Sequence, residues 1–108
     1  MQDWQTIPCP IQRTATLLTD RYVIMILRDL ASGPKRFTEL QTAGINPRTL
    51  VARLRHMEAV GFVIRNPEAG YALGERGTAL LPLIGFLRAY GETWLPLSDP
   101  GARETDDP

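Results

Sequence analysis

A mainly α-helical fold carrying one small β-hairpin is what this 108-residue chain predicts. Three observations point there. Apolar residues recur at helical spacing before residue 31 and again after residue 79. A helix start is written at Asn46-Pro47. Two short strand-like segments flank the turn-rich stretch 66–70.

The first helix covers residues 11–18, where Ile11, Ala15 and Leu18 have helical spacing and Pro10 occupies a first-turn position. Asp20 can cap the second helix, in which residues 22–27 and Leu30 are apolar on nearly every face. A helix of that kind belongs at the centre of a core, and Gly33-Pro34 stops it. Arg36-Phe37 reads as a very short strand. A brief helix follows, with Thr38 as its cap, Leu40 inside it and Gly44 at its end. Asn46 then caps the next helix, Pro47 presets its first φ, and Gly61 closes it after Ala59. At roughly 100° per residue, Leu50, Val51, Leu54 and Met57 share one arc, and Arg48, Thr49, Ala52, Arg53, Arg55 and His56 the opposite face. Residues 62–65 and 71–73 make the hairpin. The last helix holds Leu80, Leu81, Leu83, Ile84, Leu87, Tyr90 and Trp94, more apolar surface than so small a core can cover, and Pro82 either starts it or bends it. Residues 1–95 therefore read as one domain and residues 96–108, rich in proline, glycine and acids, as a disordered acidic tail.

Composition narrows the function. With 44% hydrophobic and 22% charged residues, the chain resembles an ordinary globular domain. No apolar run reaches the roughly 18 residues of a membrane span. Residues 1–4 lack a basic-then-apolar leader, so the expectation is a cytoplasmic protein with no membrane partner. Cys9 is the single cysteine, which leaves no intrachain disulfide and no cysteine-based zinc site. One cysteine, one histidine, no glycine-rich phosphate loop and no metal-spaced ligands supply no catalytic constellation and imply no metal or cofactor.

The zero net charge conceals an asymmetry. Residues 35–65 carry six basic side chains against two acidic ones, a local balance of +4, whereas residues 91–108 balance at −4. The basic middle is where a polyanion belongs. The order of elements is that of a winged helix-turn-helix, whose second motif helix enters the major groove of DNA. The candidate groove face holds Arg48, Thr49, Ala52, Arg53, Arg55 and His56. Arginine can fork onto guanine, threonine can meet a phosphate or a thymine methyl, and the small Ala52 permits close approach. Lys35, Arg36, Thr38 and Arg65 complete the candidate DNA set from the edges of neighbouring elements. A solvated helix face is the alternative for the same residues, and it is the ordered elements around them that favour DNA.

The chain also resembles the HxlR-type regulators, a branch of the MarR-like winged-helix proteins. Cys9-Pro10-Ile11 is similar to that family's opening. Leu27-Arg28-Asp29-Leu30, Gly33-Pro34, Arg36-Phe37-Thr38-Glu39-Leu40, Ile45-Asn46-Pro47-Arg48-Thr49-Leu50 and Arg53-Leu54 follow in the family's order, and Tyr71-Ala72-Leu73 with Gly77 resembles its later signature. The chain departs from the family in having Asp20-Arg21-Tyr22 for the usual Gly-Lys-Trp, a short wing with Glu68 and no arginine in its loop, and Gly74 for a threonine cap. The resemblance implies a homodimeric repressor or activator of a bacterium or archaeon that reads a pseudo-palindromic operator.

Dimerisation through the first and last helices is expected to use Ile11, Leu83, Ile84, Leu87, Tyr90 and Trp94. Cys9 has two readings. It is either a small residue beside that seam or, as the resemblance implies, a thiol sensor of an oxidant or small electrophile, its thiolate favoured by Arg13 or by the start of the first helix. A winged-helix adaptor that docks on an acidic protein surface, without sequence-specific DNA binding, is the alternative function.

Overall fold

A computed structural model describes residues 3–41 and 44–98. A 3-10 turn at Trp4–Thr6 leads into α1, Pro10–Leu18, and α2, Arg21–Leu30. Thr19 caps the end of α1 at φ +56°, the left-handed side of backbone space, where a side chain costs about 1–2 kcal/mol. Asp20 then starts α2, one carboxylate oxygen accepting the N–H groups of Tyr22 at 3.1 Å and Val23 at 3.4 Å. Val23, Ile26, Leu27 and Leu30 of α2 are buried, which places this helix at the centre of the core, as its apolar circumference predicts.

The strand expected at Arg36-Phe37 is instead a single bridge one residue earlier. Lys35 and Tyr71 exchange backbone hydrogen bonds of 2.9 and 2.8 Å. Phe37 opens the helix α3, Phe37–Gln41, and Thr38 lies inside its first turn rather than capping it. The cap is Arg36: its carbonyl accepts the Leu40 N–H, and its own N–H donates to the Glu39 carboxylate at 2.7 Å, half of a capping box. The helix α4 spans Pro47–Ala59, with Asn46 Oδ1 accepting from Arg48 N at 2.8 Å and Thr49 N at 3.4 Å, as its sequence signature predicts. Its Leu50, Leu54 and Met57 join the α2 residues, Leu40, Ile45, Val60, Phe62 and Val63 in one buried cluster.

Two antiparallel strands, β1 Val63–Asn66 and β2 Gly70–Leu73, form the hairpin with Val63 opposite Leu73 and Asn66 opposite Gly70. Asn66 Oδ1 closes the loop by accepting the N–H groups of Glu68 and Ala69 at 2.8 and 3.0 Å. Gly70 is required twice over. Its φ is +93°, and a Cβ there would collide with the Lys35 carbonyl oxygen of the bridge.

The single terminal helix expected from the sequence is two. A short α5, Glu75–Thr78, precedes α6, Leu81–Trp94, and Pro82 lies in the first turn of α6, so it starts that helix rather than bending it. Gly77 is buried so close beneath the Phe62 carbonyl that no side chain would fit. Gly74 caps α5 without a side-chain bond, as the loss of the family's threonine implies. Residues 96–98 are exposed and irregular, and the rest of the expected tail lies outside the described residues. Among the described residues no helix is long and apolar enough to cross a membrane, and no cluster of three His, Cys, Asp or Glu side chains is placed to hold a metal ion.

Candidate nucleic-acid interface

The helix α4 turns Arg48, Val51, Ala52 and Arg55 outward, at i, i+3, i+4 and i+7 along one face. That face is rotated from the one the sequence predicts. Val51, expected on the packing side, is 36% exposed, whereas Arg53 and His56, expected to point outward, are half-buried on the α1–α2 side. Thr49 is half-buried on the stripe that Arg53 and His56 continue, one turn before Arg53. The cause is a pair of long-range fastenings. Arg53 donates from Nε to Asp20 Oδ2 at 2.9 Å and from Nη2 to the same oxygen, with its guanidinium carbon 5.8 Å from the Tyr22 ring centroid. His56 Nε2 lies 2.7 Å from the Leu17 carbonyl oxygen. The Arg53 guanidinium, by its hydrogen bonds and then its charge, holds the Asp20 carboxyl below the usual carboxylate range against the opposing effect of burial.

By contrast, the guanidinium groups of Arg48 and Arg55 meet no carboxylate among the described residues. The remaining candidate cations lie around them in engaged but exposed or half-exposed positions. Lys35 Nζ is 3.2 Å from Ser32 Oγ. Arg36 donates from Nη2 to the Glu68 carbonyl across the wing tip. Arg65 donates to Tyr71 Oη at 2.9 Å, stacks on that ring, and lies 3.8 Å from Glu58. Thr38 is exposed in the first turn of α3. A cleft of about 240 Å³ between α4 and the hairpin is lined by Val51, Arg55, Glu58, Arg65, Tyr71 and Phe37.

The residues predicted for dimerisation divide. Ile84 is buried in its own chain and Leu83 half-buried, while Ile11, Leu87, Tyr90 and Trp94 are exposed, together with Phe86, Leu95 and Leu97, which sequence reading did not single out. Cys9 is a free, exposed thiol at the cap position of α1. The Arg13 guanidinium, one turn on, donates to the carbonyls of Ile7 and Pro8 at 2.8 and 3.2 Å. Sequence reading missed the second role of Asp20 and the place of Tyr22. Asp20 was visible as a cap and as a departure from the family's glycine, but its partner is 33 residues away.

With these features in place, comparison with known proteins is decisive: the HxlR-like helix-turn-helix family model matches residues 17–99. The chain belongs to that family. Among relatives of this HxlR-type protein, an uncharacterised HTH-type transcriptional regulator of Synechocystis is 34% identical over 95 residues, covering 81% of this chain and 70% of the relative. The solved structure of quinone-bound YodB from B. subtilis is similar, with a TM-score of 0.71 and 31% identity over 80% of this chain and 99% of that one. The redox regulator HypR in its reduced form gives a TM-score of 0.70 and 27% identity over 79% and 92%. The fold of the HxlR-type chain is thus the winged helix-turn-helix that its sequence predicts, and its function is that of an HxlR-type transcriptional regulator.

Proposed function

We propose that this regulator reads duplex DNA as a homodimer, each protomer laying α4 into the major groove of one half of a pseudo-palindromic operator. The observation that carries the reading is the outward face of α4: two arginines that meet no carboxylate among the described residues, Arg48 and Arg55, flank the small Ala52. Arg48, Thr49, Ala52 and Arg55 serve as the base-reading set, and Lys35, Arg36, Thr38 and Arg65 as phosphate contacts. The exposed apolar residues Ile11, Leu87, Tyr90 and Trp94, with Leu83 beside them, supply the dimer seam. Residues 1–95 act as the binding and dimerisation unit, with residues 96–108 an acidic tail outside it. The activity is binding in the cytoplasm of a bacterium or archaeon, with no metal, cofactor or catalytic step.

Exposure of the Cys9 thiol supports a second level of the same function. A relative solved with quinone bound and another described as a redox regulator favour a small electrophile or oxidant as the signal, acting through an adduct or an interchain disulfide at Cys9.

Fluorescence anisotropy of the protein on its own upstream DNA and on scrambled duplex, across a salt series and with or without a mild thiol oxidant, tests the proposal. Preference for the upstream DNA is expected, with affinity falling as salt rises. The oxidant is expected to remove that preference in the wild type and leave Cys9→Ser unaffected. Binding to neither duplex at low salt would replace the reading with that of a protein-docking adaptor.

A further inference from the structure

Asp20 divides its two carboxylate oxygens between two helices. Oδ1 takes the N–H groups of Tyr22 and Val23 at the start of α2, and Oδ2 takes Nε and Nη2 of Arg53 in the second turn of α4. Tyr22 backs the pair, with Arg53 on its ring at 5.8 Å and Arg21 at 5.1 Å. One turn further along α4, His56 holds the Leu17 carbonyl. A helix fastened at two successive turns, to α2 and to the end of α1, has its roll about its own axis fixed, and that roll is what turns Arg48, Ala52 and Arg55 outward.

The geometry points to Asp20 as a specificity-determining residue: it keeps Arg53 off the DNA and uses it to position α4, so that base reading falls to Arg48, Thr49, Ala52 and Arg55. The inference rests on the DNA-reading proposal above. An arginine free on this helix would take any phosphate within reach and add affinity to every sequence alike. An arginine bound to Asp20 adds none. For Arg53 to leave, two charge-assisted hydrogen bonds must break, and a half-buried carboxylate must face an approaching polyanion without its counter-ion. Arg53 is thus a positioning residue, and Asp20 is the residue that makes it one.

Asp20→Asn separates this role from capping, because asparagine caps a helix as well as aspartate does but carries no charge to hold Arg53. Four full-length proteins suffice: wild type, Asp20→Asn, Arg53→Gln and the double variant, each titrated on upstream and scrambled duplex across a salt series. Asp20→Asn is expected to bind scrambled duplex roughly tenfold more tightly at low salt, with a salt slope steeper by about one unit and a smaller preference for upstream DNA. The double variant should return the slope to that of the wild type. Arg53→Gln alone should weaken upstream binding without changing the slope. A slope flattened by about one unit in Arg53→Gln would show a direct phosphate contact and overturn the inference, as would an Asp20→Asn protein with unchanged slope and preference. Melting of the same four proteins without DNA adds an independent check: non-additive shifts are expected, and additive ones would mean that the pair is not coupled. A wild type that binds neither duplex while the coupling persists would overturn the DNA reading and this role together, leaving the pair a stabilising contact only.

Discussion

The Asp20 carboxyl titrates below its ordinary value of 3.8 because Arg53 hydrogen-bonds to and faces its charged form. A carboxyl whose folded value is depressed stabilises the fold fully above its ordinary value, and that contribution disappears as pH falls through the lowered one. Urea unfolding measured between about pH 5 and pH 2 should therefore show a steeper loss of stability in the wild type than in Asp20→Asn. Parallel curves would remove Asp20 from the acid response. Residues whose partners are near in sequence were legible without the fold. Asn46 and Asp20 bond backbone N–H groups two and three positions on, so their chemistry and spacing suffice to identify them as caps. The partners of Arg53 and His56 were not legible, because Asp20 and Leu17 reach them only after α1 and α2 have packed against α4. Val51 changed sides for the same reason: helical periodicity gives a face its members, while packing sets which way the face turns.

The bridge between Lys35 and Tyr71 ties the hairpin to the segment before α3, beside the packing of Val63 in the core, and Gly70 admits that bridge. Gly70→Ala should cost about 2 kcal/mol or more in urea unfolding, since it combines a left-handed backbone with a collision against a carbonyl. Faster hydrogen exchange at the Lys35 and Tyr71 amides should accompany the loss. Unchanged stability would mean that the bridge contributes nothing. The helices α1, α2 and α4 were legible to within a residue, since each combines apolar spacing with a local start signal. The two short strands were legible to within a residue as well, but the short helices α3 and α5 were not. The start of α3 is decided by Glu39 reaching back to Arg36, and a glutamate three residues past a possible cap was the available sign. The break between α5 and α6 falls just before Pro82, which has no N–H to give the Thr78 carbonyl, while Gly77 packs α5 under the Phe62 carbonyl, a contact with another element that no local pattern encodes.

At the scale of the whole molecule, the α6 surface is the largest departure from an ordinary monomer. Phe86, Tyr90 and Trp94 are 66%, 48% and 69% exposed on a helix whose buried side is anchored by Ile84. The sequence excess of apolar residues made this visible, although it did not separate Ile84, which serves the core, from its exposed neighbours. A Leu87→Asp/Trp94→Asp double variant should elute as a monomer in light-scattering chromatography and retain its melting transition. Its operator affinity should fall by at least about a hundredfold as the second half-site becomes an independent binding event. A dimer of unchanged mass would place the seam elsewhere. The charge pattern was equally legible, with the neutral total hiding a basic middle.

The wing tip carries a different kind of consequence. Arg36 reaches across it to the carbonyl of residue 68, and Asn66 closes it on the N–H groups of residues 68 and 69, so each of these bonds ends on main chain. The side chain at position 68 is therefore unconstrained by the turn it occupies. Glutamate and lysine codons differ by a single nucleotide, so descendants of this gene can acquire a cationic wing in one mutational step without remaking the turn, and can relinquish it as easily.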